Sequence, residues 1–244
     1  MKSSNPIFRD SALENVYQLS ERPMTVSGTM NKLLLLSLIM MAGAGAVYYQ
    51  FSLQHYDFVN MLMIIGLVVS VILAFVIAFK QNTAPYLAPI YAFAQGALLS
   101  GISCFFEAAA PGIVIQAISM TFIVVFAMAF LFQIGAIRAT EKFKSVILIA
   151  TLAIGIFYLI SILLSFFHVE IPYFSSISTT AIVINAVIAV IAALNLIIDF
   201  DFIQKGVSTA LPSMYEWYGA FGLLVTILWL YLEILRLLMR LRNR

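Results

Sequence analysis

Charge is what this sequence has least of. Asp, Glu, Lys and Arg make up 10% of its 244 residues, where a soluble domain carries roughly 25%. Apolar residues make up 63%, and mean hydropathy is +1.05. A water-soluble fold of this composition is excluded, because too few polar side chains exist to cover its surface. The formal net charge of +2 gives no electrostatic footing for a nucleic-acid partner. Cys104 is the single cysteine, which excludes an intrachain disulfide and a cysteine-built metal site. The two histidines, His55 and His168, both fall in short loops away from any shared helix face.

What is present is apolar and comes in long blocks. Seven of them, at 33–49, 58–79, 86–106, 113–132, 146–167, 178–198 and 217–239, approach or exceed the length that crosses a bilayer. About 20 apolar residues in a helix span roughly 30 Å of hydrocarbon. The blocks are continuous rather than alternating, which argues against a porin-like barrel. In lipid the backbone must satisfy its own hydrogen bonds, so each block is expected to be a helix. The expected fold class is therefore all-α, a polytopic membrane protein with seven transmembrane helices. Residues 1–30 read as a polar N-terminal arm, with Ser3-Ser4-Asn5-Pro6 suited to a turn or an extended segment, and residues 31–244 as the transmembrane domain. No apolar core precedes Leu33, so the arm does not read as a signal peptide.

Basic residues set the expected orientation. Lys2, Arg9, Arg22, Lys32, Lys80, Arg138, Lys142, Lys144 and Lys205 all fall on one side of the seven blocks, and loops 50–57, 107–112 and 168–177 on the other side hold none. The positive-inside rule puts the N-terminus in the cytoplasm. Against that rule, Arg236, Arg240, Arg242 and Arg244 fall at the outer end of the seventh block. A block of this length still reads as spanning. Tyr48, Tyr49, Tyr56, Tyr173, Trp217 and Tyr218 near block ends suit interfacial anchoring.

Ionisable residues inside a span are expensive and tend to mark function. In the seventh block Gly219, Gly222, Thr226, Trp229, Glu233, Arg236 and Arg240 recur at spacings of three and four, which puts them on one helical seam. The seam's glycines permit close helix approach, and Glu233 and Arg236 form an i,i+3 pair able to neutralise each other. The third block carries a similar stripe, Gly96, Ser100, Ser103 and Glu107, expected to face the bundle interior with Glu107 close enough to meet Glu233. The sixth block ends in Asp199 and Asp201. Asp199 shares a face with Ala192 and Asn195, whereas Asp201 points elsewhere, so Asp199 is expected inward, near Lys80 and Glu216. A carboxylate held in apolar surroundings and switched by a proton suits a latch. Surface helix ends and a structural ion pair remain the plainer readings of these groups.

Several activities lack their residues. There is no ATP-binding loop, no lysine in the last block for retinal, no histidine inside a span for a serine protease and no Gly-x-Gly-Asp for an aspartyl one. The expectation is a protein that is not an enzyme and has no cofactor.

The run Gly222-Leu-Leu-Val-Thr-Ile-Leu-Trp-Leu-Tyr-Leu-Glu-Ile-Leu-Arg236-Leu-Leu resembles the last helix of the Bax inhibitor-1 (transmembrane Bax-inhibitor-motif) family. Ile198-Asp199-Phe-Asp201-Phe-Ile203 is similar to that family's Tyr-Asp-Thr-Gln-x-Ile. Ala94-Gln95-Gly96-Ala-Leu-Leu-Ser-Gly101 resembles its third helix, and Ser-Ser-Asn-Pro with Thr25 looks like a bacterial branch. The resemblance covers all seven blocks. It implies two three-helix sets around a central seventh helix, and a pH-sensitive calcium leak latched by two aspartates on the sixth and seventh helices. In bacteria it implies contact with a membrane quality-control protease. Asp199 matches the first aspartate. Aligned on the Leu-Arg-Leu-Leu end, the second position holds Thr226; aligned on Leu-Tyr-Leu-Glu, it holds Glu233, which lies too far along the helix to pair with Asp199. With Thr226 there, either Asp201 or Glu216 substitutes or the gating is lost. A calcium leak and a non-conducting regulator that binds other proteins both follow.

Overall fold

The structure, a computed structural model, describes residues 22–167 and 179–243. Most of the expected N-terminal arm, and the segment with His168 and Tyr173, lie outside the described residues, as does Arg244. Among the described residues seven helices are long and apolar enough to cross a membrane: α1 (Val26–Ser52), α2 (Tyr56–Phe79), α3 (Ala84–Ala109), α4 (Ile113–Gln133), α5 (Glu141–Phe166), α6 (Thr179–Ser208) and α7 (Tyr215–Arg242). Among the described residues the only extended pairing is a single antiparallel bridge between Pro23 and Pro212. The chain is an all-α, multi-pass membrane protein.

Helix ends follow local chemistry. Thr25 caps α1, its hydroxyl accepting from the Gly28 N–H at 2.9 Å, as a threonine N-cap should. A one-turn 3₁₀ helix, Gln81–Thr83, leads into α3, where Pro85 occupies the first turn, a position that needs no N–H. The α3–α4 turn uses Gly112 at φ +84°, a conformation without a penalty only for glycine. Two boundaries differ from the sequence reading. The first helix starts at Val26, so the last residues of the expected arm belong to it. The sixth helix runs to Ser208, so Asp199 and Asp201 lie inside it rather than closing it. Lysine partners for Asp201, described below, let the helix carry its charges beyond the apolar stretch.

The helices form two sets. In one, α1 and α2 both pack on α3; in the other, α4 and α5 both pack on α6. Between them stands α7, which touches α1, α3, α4 and α6. Its residues Ala220, Phe221, Leu224 and Leu228 join a core with Leu36 of α1 and Tyr91 of α3. Leu223, Leu230 and Ile234 join another with Ile113 of α4 and Leu196 of α6. Opposite faces of one helix thus serve as walls of two cores. In α7 and in the α3 span 56% of the most apolar window is buried, against 11% in α5. The outward faces of α2 and α5, with Ile64, Phe75, Ile149 and Leu159 exposed, are too apolar for water and suit lipid.

Close packing between α1 and α3 relies on glycine. A Cβ at Gly43 would collide with the Phe93 carbonyl, and one at Gly96 with the Met40 carbonyl. Ser100 of the same α3 stripe donates its hydroxyl to the Ala44 carbonyl at 2.9 Å. The stripe faces the interior at both helices it touches: its upper half knits α3 to α1, and Ser103 meets the Tyr231 hydroxyl of α7 at 2.6 Å.

Candidate functional site

Because successive helices run antiparallel, α1, α3, α5 and α7 begin at the end of the bundle where α2, α4 and α6 finish, called here the basic end. Most of the carboxylates singled out from the sequence cluster at the two ends of the α6–α7 pair.

At the basic end, α6 and α7 approach through Gly219 and Gly222. A Cβ on Gly222 would lie 3.7 Å from Asp199 Oδ1. Thr226, one turn further along α7 on the same face, lies beside the Asp199 carboxylate. Asp199 Oδ2 is buried with no hydrogen-bond partner, one of two such side-chain atoms among the described residues. Buried polar atoms are nearly always satisfied, so an orphaned carboxylate oxygen asks for a reason. Thr226 lies against Asp199, whereas Glu233 lies toward the other end of α7.

Neither expected substitute pairs with Asp199. Asp201 turns away toward α5, where its Oδ2 lies 2.7 Å from Lys144 Nζ and 3.1 Å from Lys205 Nζ. Glu216 is buried and fully engaged: Oε2 binds the Lys32 ammonium, and Oε1 accepts from the Thr25 N–H at 2.8 Å and the Thr25 hydroxyl at 3.0 Å. Among the described residues no ion pair joins Asp199 to Lys80, and the partners of Glu216 are Thr25 and Lys32. Among the described residues Lys32, Lys144 and Lys205 bind other carboxylates, and no ion pair reaches Asp199.

At the other end, Glu233 is 0% exposed. Its Oε1 accepts from Tyr158 Oη at 2.8 Å, Arg236 Nη1 at 3.0 Å and Trp229 Nε1 at 3.2 Å; its Oε2 accepts from Asn185 Nδ2 at 2.8 Å. Arg236 also donates to Tyr158 Oη at 3.1 Å and lies 5.3 Å from that ring's centre. Four donors from α5, α6 and α7 surround one carboxylate, which is how a buried charge survives. The Glu233–Arg236 pair is thus part of a three-helix tie. Asn185 and Tyr158 were not anticipated; each is an isolated hydrogen-bonding side chain in an apolar run, and that isolation was the available signal.

Glu107 does not meet Glu233. Its carboxylate accepts from the Gly112 N–H at 2.5 Å and the Val114 N–H at 3.1 Å, so it caps α4 across the Pro111-Gly112 turn. A helix N-terminus offers free N–H groups and a positive dipole end, and these outcompete a distant carboxylate. Three of the arginines that opposed the charge rule, Arg236, Arg240 and Arg242, are tied at this end. Arg240 donates to the Ala181 carbonyl and Arg242 to the Pro111 carbonyl, both at 2.8 Å. His55 is exposed beside Gln50 at 3.0 Å.

No curated protein and no solved structure matches this chain. The chain does match the family described as Bax inhibitor 1 like over residues 5–243, a span that takes in all seven helices, the Asp199–Thr226 contact and the Glu233 tie. On that match, with seven apolar helices arranged in two sets around α7, the chain belongs to the Bax inhibitor 1-like family of membrane proteins.

Proposed function

We propose that this protein is a non-enzymatic cation leak, for calcium in the first instance, with Asp199 as its proton-operated latch. The observation that carries this reading is the Asp199 carboxylate, held at the α6–α7 contact with one oxygen buried and without a donor. An ionised carboxylate there is costly unless a proton or a cation compensates it. The two states of the latch are then a neutral, closed contact and an ionised, cation-accepting one. Oxygen ligands suit calcium. Among the described residues no group of three or more acidic, histidine or cysteine side chains could hold a metal ion. In this reading calcium is therefore cargo passing a single carboxylate. The family resemblance implies two aspartates; with Thr226 as the second member, one carboxylate carries the gating. In this reading the protein sits in the cell's inner membrane, and the loop charge bias supports a cytoplasmic basic end.

Calcium flux from liposomes, measured across pH, tests it. Asp199→Asn should flatten the flux–pH curve, and Thr226→Asp should reshape it by adding a second titrating group. An unchanged curve for Asp199→Asn sinks the latch. The same residue, Thr226, is what favours the second reading, a non-conducting regulator that binds other membrane proteins such as a quality-control protease. Wild-type protein that passes no calcium at any pH supports that reading.

A further inference from the structure

The four residues before α1 make contacts that an unengaged leader would not. The Met24 N–H donates to the Leu211 carbonyl at 2.7 Å, and the Ser213 N–H donates to the Arg22 carbonyl at 2.8 Å. This is a short antiparallel pairing with the α6–α7 loop, centred on Pro23 and Pro212. Glu216 at the start of α7 fastens it, binding Thr25 through both N–H and hydroxyl and Lys32 from the next turn of α1. Lys32 in turn reaches the Ser213 carbonyl at 3.3 Å. The segment is a strap across the basic end of the helix pair that holds Asp199.

Met24 is what the strap carries inward. It is 1% exposed, an unusual state for a side chain outside any helix. Its seat is a notch between α6 and α7 floored by glycines. A Cβ at Gly206 would come 2.6 Å from Met24 Sδ, and one at Gly219 would come 3.5 Å from Met24 Cε and 3.2 Å from Ile203 Cγ1. On α6, Asp199, Ile203 and Gly206 recur at spacings of four and three; on α7, Gly219, Gly222 and Thr226 do the same, so each trio lies on one face. Reading inward from the basic end, the order is Met24 against Gly206 and Gly219, then Ile203, then Asp199 against Gly222 and Thr226. An unbranched, flexible side chain is well suited to fill such an irregular gap.

We propose that Met24 is a plug that seals Asp199 from the basic end of the bundle, and that the strap fastened by Glu216 holds the plug seated. Access to Asp199 from that side then requires the strap to lift. The inference deepens the latch reading and borrows Asp199's role from it, but the seal itself is testable without flux.

The probe is Gly222→Cys in a Cys104→Ala background, full-length protein in lipid nanodiscs, and a charged methanethiosulfonate reagent. With Met24 and with the volume-keeping Met24→Leu, modification should be slow. Met24→Gly should speed it by about tenfold or more, the factor that about 1.4 kcal/mol of lost packing gives. Glu216→Gln, which leaves Met24 in place and loosens the strap, should also speed it. As a second readout, a Met24→Cys protein with glycine at 222 should itself react slowly, and faster once Glu216→Gln is added. Equal rates for Met24 and Met24→Gly, or a freely reactive Met24→Cys, overturn the plug. In liposomes Met24→Gly should raise calcium flux only while Asp199 is present. Faster labelling without any flux upholds the plug and refutes the leak instead.

Discussion

Glu233 offers the sharpest test of how this bundle is held together. Its side chain is 1% exposed while that of Arg236 is 32% exposed, so the two changes that break the pair are not equivalent. Arg236→Met leaves a carboxylate sealed inside with only the neutral donors of Tyr158, Asn185 and Trp229. Removing one partner of a buried pair costs about 3–5 kcal/mol, and this variant should fall in that range. Glu233→Gln leaves the arginine with a partial route to water, and a glutamine can keep two of the four hydrogen bonds. Its cost should be nearer the 1.5–3 kcal/mol of a lost charged hydrogen bond. The double variant removes both charges and should be more stable than Arg236→Met alone. The coupling from the cycle should therefore exceed about 1.5 kcal/mol, whereas an exposed pair gives only about 0–1 kcal/mol. Unfolding of all four proteins in one detergent, followed by helicity or fluorescence, supplies the numbers. Costs that add to within about 0.5 kcal/mol would mean no coupling and would refute the buried three-helix tie.

Two further outcomes are expected. Gly43→Ala and Gly96→Ala should each lower stability by about 1–3 kcal/mol, the usual cost of overpacking, because a facing carbonyl has no room to yield. Gly45→Ala and Gly155→Ala, which meet nothing within 4 Å, should be neutral or raise stability by up to about 1 kcal/mol through helix propensity; four equal melting points would contradict the α1–α3 geometry. For orientation, single cysteines replacing the exposed Lys142 and His55 in a Cys104→Ala background should differ toward an impermeant reagent on intact cells, position 55 being labelled and position 142 only after permeabilisation. Equal labelling of both would break the proposed topology.

The seven spans, their all-helical nature and the polar seam of α7 were legible in the residues themselves. The reason is that each rests on a local rule: a length of apolar chain against the thickness of a bilayer, and the 3.6-residue period that puts Gly222, Thr226, Glu233 and Arg236 on one face. The pair Glu233–Arg236 could be foreseen for the same reason, since both partners ride one helix. Periodicity fixes a face but not the helix that opposes it, and there sequence reasoning stopped. Lys144 lies far along the chain from Asp201, as does Lys32 from Glu216, and only the packing of α5 on α6 and of α1 on α7 brings them within bonding distance. Those pairings commit Lys32, Lys144 and Lys205 to other carboxylates than Asp199. The sequence offered Asp199 as the inward carboxylate and Asp201 or Glu216 as a substitute for its partner. The tertiary structure distributed the lysines and the α1 N-terminus to two of them and left the third beside a threonine, because a carboxylate's partner is decided by which helix ends meet in space.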